Sequence, residues 1–147
     1  MSGWIAVVPG VIDVARVRRS VDDPACGAVL VFDGVGRDSF DGRGVVRLSY
    51  EAWPEVAEAE MQAIADEIAA RWPGTRVSMV HRTGDVAIGE PSVVIAVATP
   101  HRAACYEASR HAIEALKARV PVWKKEIYAD GSAWKANAPA GEPRGSS

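Results

Sequence analysis

The pattern of hydrophobic and polar positions predicts several short strands along the chain. Residues 45–51 alternate between two faces, as a strand does, and the nearly continuous apolar run at 92–98 is typical of a central strand buried on both faces. Residues 33–44 hold four glycines, so this segment is predicted to be irregular. Strand character is also found at residues 4–8, 28–32, 76–82, 86–88 and 125–128.

Two longer helices are predicted between these strands. The first spans residues 53–72, with Pro54 near its start, a proline–glycine pair after its end, and an apolar stripe at spacings of mostly three to four. The second begins at Thr99, which is predicted to be its N-cap, and ends before Pro121 because proline cannot continue a helix. Residues 11–25 fit either a short helix or a loop.

Short strands with two long helices predict an α+β domain. The chain has 147 residues, which suits one domain, and we predict that this domain spans residues 1–137. Residues 138–147 are rich in proline, glycine, alanine and serine, and they are predicted to form a flexible C-terminal tail.

Composition and charge narrow the classes of function. The formal net charge is −2, so no basic field points to a nucleic-acid partner. No apolar run reaches the roughly 20 residues that cross a bilayer, and the N-terminus does not resemble a signal peptide, so we expect a cytoplasmic protein that does not bind membranes. Cys26 and Cys105 lack metal-ligand spacing and are expected to be reduced thiols. We expect neither a metal nor an organic cofactor.

Lys117 and Lys124 are the most informative residues for chemistry. They lie seven positions apart on either side of Pro121, with Trp123 beside the second lysine. Two cations held near each other, with an apolar ring alongside, each lower the other's pKa. Such a pair suits anion binding, or a lysine that exchanges a proton or acts as a nucleophile. The alternative is a solvated helix end whose basic residues complement the helix dipole.

Two further groups of basic residues are candidate anion sites. Arg37 follows a strand in a glycine-rich loop, where free backbone N–H groups and a guanidinium suit phosphate or carboxylate. His101 and Arg102 are predicted in the first turn of the second helix, where unpaired N–H groups attract anions. An exposed loop charge and ordinary surface residues are the respective alternatives. His81 and His111 are not expected to be catalytic.

Several short motifs occur in a fixed order over roughly residues 27–135. They are Gly27-Ala28-Val29 with Phe32-x-Gly34-x-x-Arg37; Leu48-x-Tyr50-Glu51-x-x-Pro54; Ile64-x-x-Glu67 with Arg71-Trp72-Pro73; Val80-His81-Arg82-x-Gly84; Val97-x-x-x-His101-Arg102; and Leu116-Lys117-x-Arg119-x-Pro121-x-Trp123-Lys124-Lys125-Glu126. Together they resemble the family of large, catalytic subunits of molybdopterin synthase. The first 25 residues and the tail resemble that family only loosely.

The resemblance implies an α/β-hammerhead fold with a mixed or antiparallel sheet and two main helices. It also implies a homodimer within a heterotetramer, in which each large subunit binds a small ubiquitin-like sulfur carrier. The C-terminal Gly-Gly of that carrier, as a thiocarboxylate, would enter a pocket of the large subunit. Sulfur would pass twice to cyclic pyranopterin monophosphate, giving the dithiolene of molybdopterin in molybdenum cofactor biosynthesis.

The resemblance also implies the residues of the site. It makes Lys117 and Lys124 the essential lysines, and it leaves open which of them does which task. The substrate-binding positions that it implies are Val35, Gly36, Arg37, His101, Arg102, Lys125 and Glu126. Three residues depart from the family pattern: Asp33, Gly36 and Val122.

Two other functions are compatible with parts of the sequence. A non-catalytic paralogue would dock a ubiquitin-like tail or a phosphorylated small molecule without turnover, although such a protein needs no paired lysines. An RNA-binding α+β domain is disfavoured by the net charge and by the lack of a strand that mixes aromatic and basic residues.

Overall fold

A computed structural model of the protein describes residues 3–136 and arranges them as two β-sheets with three α-helices. The strands are β1 (Ile5–Val8), β2 (Ala28–Val35), β3 (Ser39–Phe40), β4 (Arg43–Ala52), β5 (Arg76–Arg82), β6 (Gly84–Ala87), β7 (Pro91–Thr99), β8 (Val122–Tyr128) and β9 (Ala133–Ala136). The helices are α1 (Val14–Arg19), α2 (Pro54–Arg71) and α3 (Arg102–Arg119). The predicted flexible tail at 138–147 lies outside the described residues, so it stays a prediction, as does the single domain at 1–137.

The first sheet has the strand order β1-β5-β7-β2, with β1 parallel to β5 and the other pairs antiparallel. Strand β7 lies inside this sheet, and its residues 92–99 are all buried. The apolar run at 92–98 therefore forms the central strand that its pattern predicts, since both faces of the strand are covered.

The second sheet has the order β3-β4-β8-β9, and β6 pairs with the other edge of β4. In this sheet β4 and β8 are antiparallel, with Tyr50 opposite Lys124 and Ser49 opposite Lys125. Successive side chains of a strand point to opposite faces, so this register puts Tyr50 and Lys124 on one face and Ser49 and Lys125 on the other.

The two long helices cover the larger of two hydrophobic cores. Helix α2 buries Ala57, Met61, Ile64, Ala65 and Ile68, and helix α3 buries Cys105, Ala108, Ala112 and Leu116. Together with side chains of both sheets these residues form one cluster, while α1 covers a smaller cluster on the first sheet. The predicted α+β class is confirmed, and residues 11–25 include a short helix.

Several predicted boundaries are wrong, and three of them bear on the site. Helix α3 begins at Arg102 with His101 as its N-cap, because Thr99 is the last residue of β7 and its hydroxyl donates to the His101 carbonyl at 2.6 Å. Strand β2 continues to Val35, since β7 pairs with it along its whole length. Strand β8 begins at Val122 rather than at residue 125, because Val122 already pairs with Ala52 of β4.

Candidate active site

The end of helix α3 and the strand that follows it bring the two predicted lysines together. Helix α3 ends at Arg119, before Pro121, so Lys117 lies in its last turn. Lys124 lies three positions after Pro121 in strand β8, and it is only 8% exposed, whereas Lys117 is exposed. The chain therefore turns between the two lysines, and each ammonium group lies in the electrostatic field of a neighbouring cation.

Partial removal from water, together with the positive charge of Lys124, lowers the pKa of Lys117 to about 8. Water still reaches this side chain, as its exposed surface shows, and this limits the effect of desolvation. A lysine with a pKa of about 8 holds a mixture of charged and neutral forms near neutral pH. Lys117 can therefore donate or accept a proton under ordinary conditions, which an unperturbed lysine does poorly.

Lys124 is buried and has a carboxylate beside it. Its Nζ lies 3.6 Å from Oε2 of Glu126, and the Glu126 side chain is fixed by the Tyr128 hydroxyl, which donates to Oε1 at 2.8 Å. Desolvation by burial lowers the pKa of Lys124, the carboxylate of Glu126 opposes this effect, and the positive charge of Arg37 adds to it. Arg37 therefore lies within electrostatic range of Lys124, as the predicted anion site requires.

Two buried side chains, Tyr50 and His81, lie behind the lysines. Tyr50 of β4 is paired with Lys124 of the neighbouring strand β8. The His81 ring packs edge-on against the Tyr50 ring, with 5.3 Å between the ring centroids. Burial raises the pKa of Tyr50. Burial, opposed by a hydrogen bond to the Arg82 backbone and aided by the charge of Lys117, lowers the pKa of His81 to about 4. Its Nδ1 lies 2.9 Å from the carbonyl oxygen of Arg82; because a carbonyl only accepts, Nδ1 carries the proton.

Tyr50 and His81 both fall inside the family motifs, but the sequence alone does not place them beside the lysines. His81 is not expected to be catalytic, and this stays a prediction. The signal that could have found Tyr50 was its place on a strand that pairs with the lysine strand, and pairing cannot be deduced from one sequence.

The loop after β2 presents Arg37 at the surface. Gly36 is buried, and a Cβ added there would collide with Cδ1 of Leu48, so only glycine fits without a shift of the core. The Gly89 N–H donates to the Gly36 carbonyl at 3.1 Å, which ties this loop to the turn before β7. Val35, another predicted substrate-binding residue, is exposed at the end of β2. The structure thus brings Arg37 of this loop within electrostatic range of Lys124.

Three predicted residues lie elsewhere in the subunit. Arg102 is the first residue of α3 and Lys117 lies 15 positions later, which corresponds to about 22 Å along the helix. His101, the N-cap, lies at the same distant end of α3. Lys125 points to the sheet face opposite Lys124, where it lines a cavity of about 230 Å³ together with Trp123. Within one subunit these side chains do not join the lysine pair.

Within residues 3–136, no three histidine, cysteine, aspartate or glutamate side chains are grouped closely enough to hold a metal ion. Cys26 and Cys105 are both free thiols. None of the three described helices has the length and apolar character needed to cross a bilayer.

The sequence model of the MoaE protein family matches residues 7–119. The chain belongs to the MoaE family. The human protein named molybdopterin synthase catalytic subunit is 44% identical over 126 residues, which is 86% of this chain and 67% of that relative. The solved structure of molybdopterin synthase from Staphylococcus aureus has a TM-score of 0.86 and 39% identity, covering 90% of this chain and 96% of the other.

A second solved structure shows the same fold at lower identity. It is described as a protein–protein complex of subunits 1 and 2 of molybdopterin-converting factor from Helicobacter pylori, with a TM-score of 0.72, 21% identity, and coverage of 92% of this chain and 90% of that one. The predicted MoaE-type fold, an α/β hammerhead, is therefore confirmed, as is the prediction that the chain is a molybdopterin synthase catalytic subunit.

Proposed function

We propose that this MoaE-family chain transfers sulfur from the thiocarboxylated C-terminal Gly-Gly of a small ubiquitin-like carrier to cyclic pyranopterin monophosphate, which makes the dithiolene of molybdopterin. The observation that carries this proposal is the lysine pair, Lys117 and Lys124, with Arg37 in electrostatic range of the second lysine. Both ligands are anions, and these three cations form a local positive site in a chain whose net charge is −2.

The described chemistry of the site suits the transfer step. The thiocarboxylate sulfur first bonds to a carbon of the pterin substrate, from which an oxygen leaves as water. A second water then adds to the acyl carbon and breaks its bond to sulfur, so the carrier leaves as a carboxylate and the sulfur stays on the pterin. Negative charge develops on the acyl oxygen during this cleavage, and a fixed cation nearby stabilises it. Lys124 is buried and paired with Glu126, so it supplies such a fixed cation. Lys117, with a pKa of about 8, is the better candidate to exchange protons with the reacting groups. Glu126 and Tyr128 act as positioning residues for Lys124.

The substrate's phosphate is proposed to bind at the 35–37 loop. Arg37 provides a planar guanidinium that suits a phosphate, and it stands at the surface beside the buried Lys124. Val35 and Gly36 shape the backbone of this loop. Lys125 is retained as a substrate-binding candidate by resemblance alone, since its side chain lies on the other face of the sheet.

We further propose a homodimer within a heterotetramer, each large subunit binding one carrier. His101 and Arg102 lie about 22 Å from Lys117 in the same subunit, so they can serve a lysine pair only from a second copy of the chain. The Helicobacter pylori complex, which pairs subunits 1 and 2 of molybdopterin-converting factor, supports a partner protein for this fold. We place the reaction in the cytoplasm, a location that the two free cysteines support.

A non-catalytic docking protein is the second candidate. It would keep the cations that hold the anionic tail or phosphate, and it would show binding without product. The lowered pKa of Lys117 favours catalysis, since binding alone is served better by a lysine that stays fully charged.

Reconstitution tests the proposed function. Purified chain is mixed with the thiocarboxylated carrier and cyclic pyranopterin monophosphate, and the oxidised fluorescent pterin product is followed. We expect product with the thiocarboxylate and none with a carrier that ends in an ordinary carboxylate. Carrier binding without product, alongside an active control enzyme, would identify the docking protein instead.

A further inference from the structure

A buried arginine outside the lysine site calls for an explanation. The Arg82 side chain at the end of β5 is 9% exposed, and its Nη2 donates to the Asp85 carbonyl at 2.6 Å. Its Nη1 donates to Oε1 of Glu90 at 3.0 Å, while its Nε is buried and has no hydrogen-bond partner. Burying a charged group with an unpaired N–H is unfavourable for stability, so a functional reason for this residue is worth seeking.

Arg82 and Glu90 close the turn between β6 and β7. Oε1 of Glu90 accepts from the Ala87 N–H at 3.0 Å as well as from Arg82, and the Glu90 N–H donates to the Ala87 carbonyl at 3.0 Å. Arg82 thus joins the end of β5 to β6 at Asp85 and to the turn at Glu90.

This turn holds the loop that carries Arg37. The Gly89 N–H donates to the Gly36 carbonyl at 3.1 Å, one residue before Arg37. Two residues after Glu90, the Ser92 hydroxyl donates to the Gly34 carbonyl at 3.3 Å. Hydrogen bonds from the turn and from the start of β7 therefore fix the backbone on both sides of the exposed Val35.

We propose that Arg82 and Glu90 are positioning residues, which hold the turn before β7 so that it fixes the direction in which Arg37 meets the phosphate of the substrate. This inference rests on the proposed function of the 35–37 loop. Neither residue touches the reacting atoms. Their effect is on preorganisation, because a loop that is already ordered loses less conformational freedom when it binds an anion.

The expected signature is a change in KM for cyclic pyranopterin monophosphate with little change in kcat. Glu90→Ala removes the two hydrogen bonds that the carboxylate accepts, from Arg82 and from the Ala87 N–H, and should raise KM about tenfold. Glu90→Gln keeps an acceptor for Arg82 and Ala87, so it should recover most of the affinity. Glu90 is the better position to change, because removing Arg82 would alter a buried site and endanger folding.

A matched control separates positioning from loss of a surface ion pair. Glu114→Ala removes an arginine–glutamate contact of the same length on the exposed face of α3, where Arg110 Nε lies 3.0 Å from Oε2 of Glu114. Its KM should equal that of the parent protein. Unfolding in urea, measured for each variant, shows that changes in KM are not changes in the folded fraction.

A double-mutant cycle with Arg37→Ala completes the test. If Glu90 acts through Arg37, Glu90→Ala should weaken binding about tenfold in the parent and have little further effect once Arg37 is gone. Independent, additive effects would overturn the positioning role, as would an unchanged KM in Glu90→Ala while Arg37→Ala raises it. If Arg37→Ala itself leaves KM unchanged, the phosphate site in the proposed function fails, and this inference fails with it.

Discussion

At the scale of single residues, the site is built from positive charges that repel one another. In addition to burial, the positive charge of Lys124 lowers the pKa of Lys117, and the positive charge of Arg37 lowers that of Lys124. Such repulsion disfavours the folded state, and an anion that binds between the cations relieves it. The sequence predicted this lysine pair from its spacing around Pro121. It did not predict that Lys124 is buried beside Glu126, because burial depends on which strand pairs with β8.

Binding of the anionic substrate should depend on pH through Lys117. Its pKa of about 8 means that its positive charge is present at pH 7 and mostly lost at pH 9. We therefore expect the affinity for cyclic pyranopterin monophosphate to be constant below pH 8 and to fall above it, by at most about tenfold per pH unit. Calorimetric titration at several pH values measures this change. Lys117→Arg, which stays charged, should abolish most of it; an identical pH profile in that variant would assign the effect to another group.

His81 should make the protein less stable in mild acid. Its pKa is about 4 in the folded protein, below the ordinary value of 6.5, so between these values the unfolded chain binds more protons. Stability is therefore lost as pH falls from about 6.5 to 4, by about 2 kcal/mol between pH 7 and pH 5 from this residue alone. Urea unfolding at both pH values, for the parent and for His81→Gln, isolates the effect. An equal loss in both proteins would contradict it.

At the scale of secondary-structure elements, alternation along β8 explains how neighbouring residues come to differ in role. Lys124 and Glu126 lie on the buried face, and Lys125 lies on the opposite face beside Trp123. The family motif assigns all three residues to one site, because a sequence does not show which face of the sheet each side chain occupies. The long elements were predicted well, since their periodicity is strong. The start of α3 was missed, because a threonine followed by a proline also suits the end of a strand.

The loop after β2 should not tolerate a side chain at Gly36. A Cβ there would meet Leu48, a core residue that is 4% exposed, so we expect Gly36→Ala to lower the free energy of unfolding by about 1–3 kcal/mol. Gly44→Ala is the control, because its Cβ would make only an ordinary contact with Ala129 at 3.6 Å. That variant should change stability by less than about 0.5 kcal/mol. Similar losses in both variants would show that the space at Gly36 is not limiting.

At the scale of the whole molecule, one described subunit does not bring the complete set of predicted residues together. The N-terminal end of α3, with His101 and Arg102, lies about 22 Å from the lysine pair at the other end. The family motifs assign these residues to one site. Their separation follows only from the length of helix α3. In the proposed homodimer, each site takes its lysine pair from one copy of the chain and His101 and Arg102 from the other copy.

Mixed dimers test whether sites are shared. Lys117→Ala and Arg102→Ala should each be weakly active alone. After subunit exchange, half of the dimers contain one chain of each kind, and in these one of the two sites is intact, so about a quarter of all sites should be active. Recovery of activity on mixing measures this fraction. If mixing restores nothing although exchange is shown by mass, both residues belong to the same subunit's site or the dimer is not the active form.

The central claim is that the buried face of β8, at the end of α3, carries the sulfur-transfer chemistry. The most direct measurement compares Lys124→Ala with Lys125→Ala in the reconstitution assay, because these adjacent lysines lie on opposite faces of β8, Lys124 on the buried face and Lys125 on the exposed one. Urea unfolding establishes that both variants are folded. At saturating substrate, product formation should be lost in Lys124→Ala, by about 100-fold or more, and largely kept in Lys125→Ala, whose candidate role in binding would appear in KM instead. Equal activity of the two folded variants would contradict the account.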